Sequence, residues 1–183
     1  PYGSRGLIDC DCLQRKCEQS GKQRQQTQYG YGNRQFENTD SLFLKKRRVI
    51  DKGNTEVVAE YIKEMTGADV FRIMPDKEYE KIQDYDELVE LTRIEHENDE
   101  RPTFNGKIND IGKYDTIFIG SPIWWYTFPQ VMYTFLDSYD LNGKTIIPFT
   151  THEGSGLADV VEVLRKYYPN ATVAEGLVIR GRD

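Results

Sequence analysis

From about residue 53 onward, apolar residues recur with a regular period that switches between helix and strand. Val58, Tyr61, Ile62 and Met65 fall at i, i+3, i+4 and i+7, which predicts an amphipathic helix with that stripe turned inward. Asn54 reads as its N-cap, Glu56 suits its first turn, and Gly67 closes it. Residues 69–74 alternate and stop at Pro75, the pattern of a strand near a sheet edge. Tyr85, Leu88, Leu91 and Ile94 then step along one side of a helix over 84–97. The acidic run 95–100 reads as a solvated helix end, and His96 within it as a surface imidazole with no assigned role. Residues 115–119 form a short apolar run of buried-strand type, and Val131, Phe135 and Leu136 give a helix over 129–139 its inner side. Ile146, Ile147 and Phe149 make 144–150 apolar on both faces, as a central parallel strand requires. A helix over 157–168, with Val160, Val161, Leu164 and Tyr168 inward, and a strand over 171–179 complete the series. Such alternation predicts an α/β fold, a parallel sheet covered by helices on both faces.

Residues 1–48 show no sustained period. Gln14, Gln19, Gln23, Gln25, Gln26, Gln28 and Gln35 are spread among Lys, Arg, Gly and Ser, a composition that buries too little apolar surface to order itself. This predicts a disordered or atypical basic tail, interrupted only by Leu42, Phe43 and Leu44, followed by one folded domain over 49–183. Charge marks the same boundary. Residues 1–49 hold ten Lys/Arg against five Asp/Glu, a net of +5, and the remaining 14 basic and 25 acidic residues give the body a net of −11. A body so acidic is repelled by phosphate backbones and anionic lipid, which argues against nucleic-acid and membrane partners. No apolar run approaches the ~20 residues that span a bilayer, and the first residues lack a hydrophobic signal core, so a cytoplasmic protein is expected. Cys10, Cys12 and Cys17 lie in the tail without paired metal-ligand spacing or a nearby His; they read as reduced thiols.

Candidate chemistry gathers in three loops that the predicted topology puts at the carboxyl ends of strands, where ligands bind in open α/β sheets. They are residues 53–55, 121–128 and 151–156. The second carries both tryptophans of the chain, Trp124 and Trp125, beside Tyr126 and Phe128. Aromatics in that number either wall a flat ligand or plug the top of the sheet. A helix amino terminus, an aromatic wall and a Gly-rich polar loop could together hold a phosphate, a planar ring and the ring's polar edge.

Four stretches give the chain a family resemblance: GNTEVVAEYI at 53–62, YDTIFIGSPIWW at 114–125, GKTIIPFTTHEGSG at 143–156 and EGLVIRG at 175–181. Over residues 50–181 the chain resembles the flavodoxin-like family, in particular its bacterial short FMN proteins. The resemblance implies a three-layer sandwich around five parallel strands in the order 2-1-3-4-5, FMN as cofactor, and electron transfer to a redox partner protein or a small-molecule acceptor. It implies that Asn54 and Thr55 end the phosphate loop. Pro122, Ile123, Trp124 and Trp125 correspond to the first ring loop, with a tryptophan stacking. Thr151, His152, Glu153, Gly154 and Ser155 correspond to the second, whose backbone reaches the pyrimidine edge. Plainer roles stay open: Asn54 as a cap, His152 as a loop donor, Ser155 as the next helix's N-cap. The family also begins with a central apolar strand and a hydroxyl-rich loop, where this chain has Lys45, Lys46, Arg47 and Arg48. The first strand is therefore expected to be replaced or missing, leaving an unfilled slot between 69–74 and 115–119, and the family's C-terminal helix is expected to be missing as well. One origin for such a break is a shifted reading frame upstream of residue 49; another expectation lets 42–44 stand in for the strand. The competing function is a non-catalytic remnant of the fold with weak or no FMN binding, acting through protein interaction. Whether the protein is the flavoprotein part of an NAD(P)H-linked oxidoreductase is left open, since no nicotinamide site is visible. A hydrolase fits worse, because Ser155 lacks nucleophile-elbow spacing.

Overall fold

In the computed structural model, residues 3–10, 52–77, 79–82 and 84–180 are described. Strands β1 (Arg5–Cys10), β2 (Asp69–Pro75), β3 (Phe104–Asn105), β4 (Thr116–Pro122), β5 (Thr145–His152), β6 (Thr172–Val173) and β7 (Leu177–Arg180) form one sheet. Its order is β3-β2-β1-β4-β5-β6, with β7 also on β5. All pairings are parallel except that of the two-residue β3 with β2. Helices α1 (Asn54–Thr66), α2 (Tyr85–Glu97), α3 (Gln130–Ser138) and α4 (Val160–Tyr167) accompany it. No described helix is long and apolar enough to cross a membrane.

The main correction lies at the amino terminus. The slot between β2 and β4 is filled, and the filler is β1, drawn from the segment expected to be a tail. Ile8 pairs with Phe71 on one side and Ile119 on the other. Leu7, Ile8 and Cys10 are buried. Leu7 packs with Ala59, Ile62 and Phe149 under α1, while Ile8 and Cys10 join the larger cluster beneath α3 and α4, which includes Phe135, Leu136, Val160 and Leu164. The strand escapes detection because Gly6 and Asp9 break its apolar run. Leu42, Phe43 and Leu44, together with Cys12 and Cys17, lie outside the described residues; Cys10 is fully buried in β1.

Two further differences have local causes. Of the expected stripe of α1, Ile62 is buried and Val58 packs partly buried beside it, but Tyr61 and Met65 are exposed, and Thr55, Glu56 and Ala59 complete the buried face. The small Ala59 lets the helix lie close to the sheet. The last strand is also not continuous. Thr172 and Ala174 donate to the carbonyls of Lys144 and Ile146 at 2.9 and 2.9 Å, so alternate residues of β5 turn their backbone groups toward this neighbour. Pro148, next in that series, has no N–H to offer. There the register slips by one residue: Ile146 faces Val173, but Phe149 faces Leu177. This is a bulge opposite a proline, and it splits the strand into β6 and β7. Gly176 occupies it at φ +89, where a Cβ would lie 2.9 Å from the Pro148 carbonyl.

If β1 is a true central strand, Leu7→Ala removes a fully buried side chain and lowers unfolding stability by roughly 2–5 kcal/mol. A urea titration checks this; a change within about 0.5 kcal/mol, as for a surface position, would return residues 5–10 to a tail.

Candidate functional site

β4 and β5 deliver the candidate residues to one rim. β4 runs on through Gly120 and Ser121 to Pro122, beyond the expected 115–119. Gly120 faces Phe149 across the ladder, and a Cβ there would sit 2.0 Å from the Phe149 ring. No larger residue fits beneath that ring. Past Pro122 the chain makes a two-residue hairpin. The N–H of Trp124 donates to the Thr127 carbonyl at 3.0 Å and that of Thr127 to the Trp124 carbonyl at 2.9 Å. Trp125 and Tyr126 stand at its tip with φ +51 and +62. Two positive φ values define a type I′ turn, which ordinarily takes Asn-Gly; each bulky residue held there costs roughly 1–2 kcal/mol. The strain is held by contacts around the hairpin. Trp125 Nε1 donates to Thr92 Oγ1 on α2 at 3.3 Å, and the Thr127 and Tyr133 hydroxyls lie 2.5 Å apart. Burial, more than any other cause, raises the Tyr133 phenol above its ordinary range.

Within this loop both readings of the aromatics hold, at different residues. Phe128 is a core plug at 1% exposure, whereas Tyr126 is 73% exposed. Trp124 and Trp125 are half-buried, and Trp124 meets the Tyr79 ring edge-on.

Thr151 joins the three loops. Its carbonyl accepts from the Ile123 N–H at 3.2 Å, and its hydroxyl lies 2.7 Å from that of Thr55 at the start of α1. Both threonines are buried. The start of α1, the aromatic loop and residues 151–156 are thereby fastened to one another. The N-cap of α1 is Gly53, so Asn54 is the first helical residue and not the cap; the helix dipole places its positive end at this point of the rim. In the third loop, His152 Nδ1 accepts from the Gly154 and Gly156 N–H groups at 2.8 and 3.0 Å. An imidazole accepting at Nδ1 carries its proton on Nε2. His152 is thus an acceptor that shapes the loop, where a donor was the plainer alternative. Ser155 is not the N-cap of α4, which is Asp159. Gly154 is exposed and Glu153 and Ser155 are half-buried. Beside this rim, Arg72 of β2 pairs with Glu56 and lies 4.0 Å from the buried Asp9. Sequence reasoning places Glu56 in the first turn of α1, as found, but neither its pairing with Arg72 nor the burial of Asp9 carries a periodic signal. A shallow depression of about 330 Å³, lined by residues including Tyr139, Tyr167 and Tyr168, lies at the ends of α3 and α4 and involves none of these loops.

Against known families, residues 49–183 match the model described as Flavodoxin. The chain belongs to the flavodoxin family. The matched region begins after β1. Solved flavodoxin-fold relatives extend the likeness across nearly the whole chain. A candidate flavoprotein from Bacteroides uniformis is 23% identical, with 99% of this chain and 92% of that one covered and a TM-score of 0.69. Another from Bacteroides eggerthii is 24% identical, covering 97% and 88%, at 0.68. A flavoprotein from Lactobacillus acidophilus, solved in complex with FMN, is 15% identical, covering 98% and 94%, at 0.62. No curated protein matches.

Replacing His152 by Ala removes the acceptor shared by two loop amides. Hydrogen exchange at Gly154 and Gly156 should then rise about two- to tenfold, in keeping with the net worth of a hydrogen bond; unchanged exchange would show that the loop holds its shape without the imidazole.

Proposed function

We propose that the rim binds one FMN and that the protein is an electron-transfer flavoprotein. The convergence of three rim segments on Thr151 carries the proposal, because it brings together in one place the donor types that a phosphate, a flat ring and a polar ring edge require. The FMN complex of the Lactobacillus acidophilus protein, which shares the fold, supports the same choice of ligand. Asn54 and Thr55 at the positive end of α1 would hold the phosphate. Pro122, Ile123, Trp124 and Trp125 would wall the ring, with Tyr126 an additional exposed ring that sequence reasoning did not assign. Backbone groups of Thr151, His152, Glu153, Gly154 and Ser155 would meet the polar edge.

When bound, FMN accepts and returns electrons singly or as a pair. The chain supplies binding, orientation and shelter from water. Its acidic body, a net −11 over residues 50–183, opposes added negative charge at the site and favours a low reduction potential. A partner protein or a small acceptor takes the electrons at the exposed rim.

Titration of FMN into the flavin-free protein tests this. Saturable quenching of flavin fluorescence at one equivalent is expected, and Trp124→Ala and Trp125→Ala should each weaken binding about 5- to 100-fold, the range measured for lost aromatic stacking. Colourless protein indifferent to FMN would contradict the proposal and leave a non-catalytic member of the family acting through protein contacts.

A further inference from the structure

α2 buries a carboxylate that the proposed chemistry does not use. Glu95 is 1% exposed. Its oxygens accept from the Tyr79 hydroxyl at 3.0 and 3.0 Å, and Lys77 Nζ donates to Oε1 at 2.6 Å. Burial works against the Lys77 charge, but its bonds to Glu95 and Glu100 outweigh that effect and hold the ammonium above its ordinary range. The carboxylate is therefore matched by a cation at neutral pH. Removing a charge from water is costly, and an apolar residue of similar size often serves stability equally well. A carboxylate buried to 1% exposure, reached by a lysine whose side chain stays 41% exposed, calls for a geometric explanation.

The Tyr79 ring supplies one. It is 2% exposed and meets the Trp124 ring edge-on, with centroids 6.2 Å apart and planes at 88°. Leu88 of α2 belongs to the same small cluster, with Ile82 and Leu91 at its border. Among the described residues Trp124 Nε1 is buried without a hydrogen-bond partner, so packing, and not a bond of its own, orients the indole. Trp125 is tied to Thr92 on the same helix, and Gln130, at the start of α3, donates to the Glu95 and His96 carbonyls at 3.2 and 3.3 Å. The aromatic loop is therefore fastened to one short helix on both sides of its strained turn.

We propose that Glu95 is a positioning residue for the aromatic wall: by fixing the Tyr79 hydroxyl it sets the ring against which the Trp124 indole leans, and thereby the affinity of the rim for a flat ring. The last clause rests on FMN being the ligand; the orientation of Trp124 does not. Packing that holds a binding side chain in one rotamer is what keeps a site tight.

The test compares wild type, Tyr79→Phe and Glu95→Gln, with Trp124→Phe as a spectral reference. Tyr79→Phe keeps the ring and removes only the hydroxyl, so it should unfold cooperatively, within a few degrees of wild type. Well below that transition, the near-UV circular dichroism band that Trp124→Phe identifies as belonging to Trp124 should be largely lost in Tyr79→Phe without any FMN present. FMN affinity should fall about three- to tenfold, as for one lost hydrogen bond. Glu95→Gln, which keeps an acceptor oxygen, should retain more of both. A wild-type band and wild-type affinity in Tyr79→Phe would overturn the proposal and leave Glu95 a merely structural residue. Should the wild type bind no FMN, the functional assignment fails, and the dichroism comparison alone decides the positioning role.

Discussion

The parallel pairing of β1 with β2 on one side and β4 on the other is the constraint on which the rest depends. Without it the sheet would be two pieces with open edges. Six residues from the start of the chain close that gap. They place Leu7 under α1, and Ile8 and Cys10 under α3 and α4, so both layers are anchored to one strand. Asp9 is the exception in this strand, a fully buried carboxylate accompanied by Arg72, which is bonded in turn to Glu56 in the first turn of α1. The ionic group thus stands where strand and helix approach the rim.

From that frame the site follows by short steps. Phe149 lies over Gly120, which holds β4 and β5 in register where they end. Thr151 follows two residues later and joins α1 and the aromatic loop to its own loop. The left-handed conformations of Trp125 and Tyr126 cost free energy, and the bond that Trp125 donates to Thr92, with that between Thr127 and Tyr133 beside the turn, keeps them in place. Rigid elements on both sides of a strained loop are an arrangement suited to binding, because the loop need not order itself when a ligand arrives.

Much of this was visible in the sequence wherever apolar periodicity was strong. α3 is found within a residue or so of its expected ends because Val131, Phe135 and Leu136 mark one face, and β5 shows as a run apolar on both faces. Chemistry that works through polar burial left no such trace. β1 carries no such signal because Asp9 and Gly6 dilute its three apolar residues, Leu7, Ile8 and Cys10, in a polar neighbourhood. Ile62 and Val58 of the α1 stripe face inward, but Tyr61 and Met65 outweigh Ala59 and Thr55 on any hydrophobicity count, although close packing on the sheet favours the smaller pair. Glu95 read as part of a solvated acidic run, yet it is turned inward by Tyr79 and Lys77. The type I′ turn was hidden because its two positions hold aromatics in place of Asn and Gly.

The rim as a single binding surface is tested most directly by recording backbone amide chemical shifts while FMN is added to the flavin-free protein. The account predicts that shifts concentrate in residues 53–56, 123–127 and 151–156 together, and that they saturate along one common curve. Shifts confined to one of these segments, or gathered instead around Tyr139 and Tyr167, would contradict it.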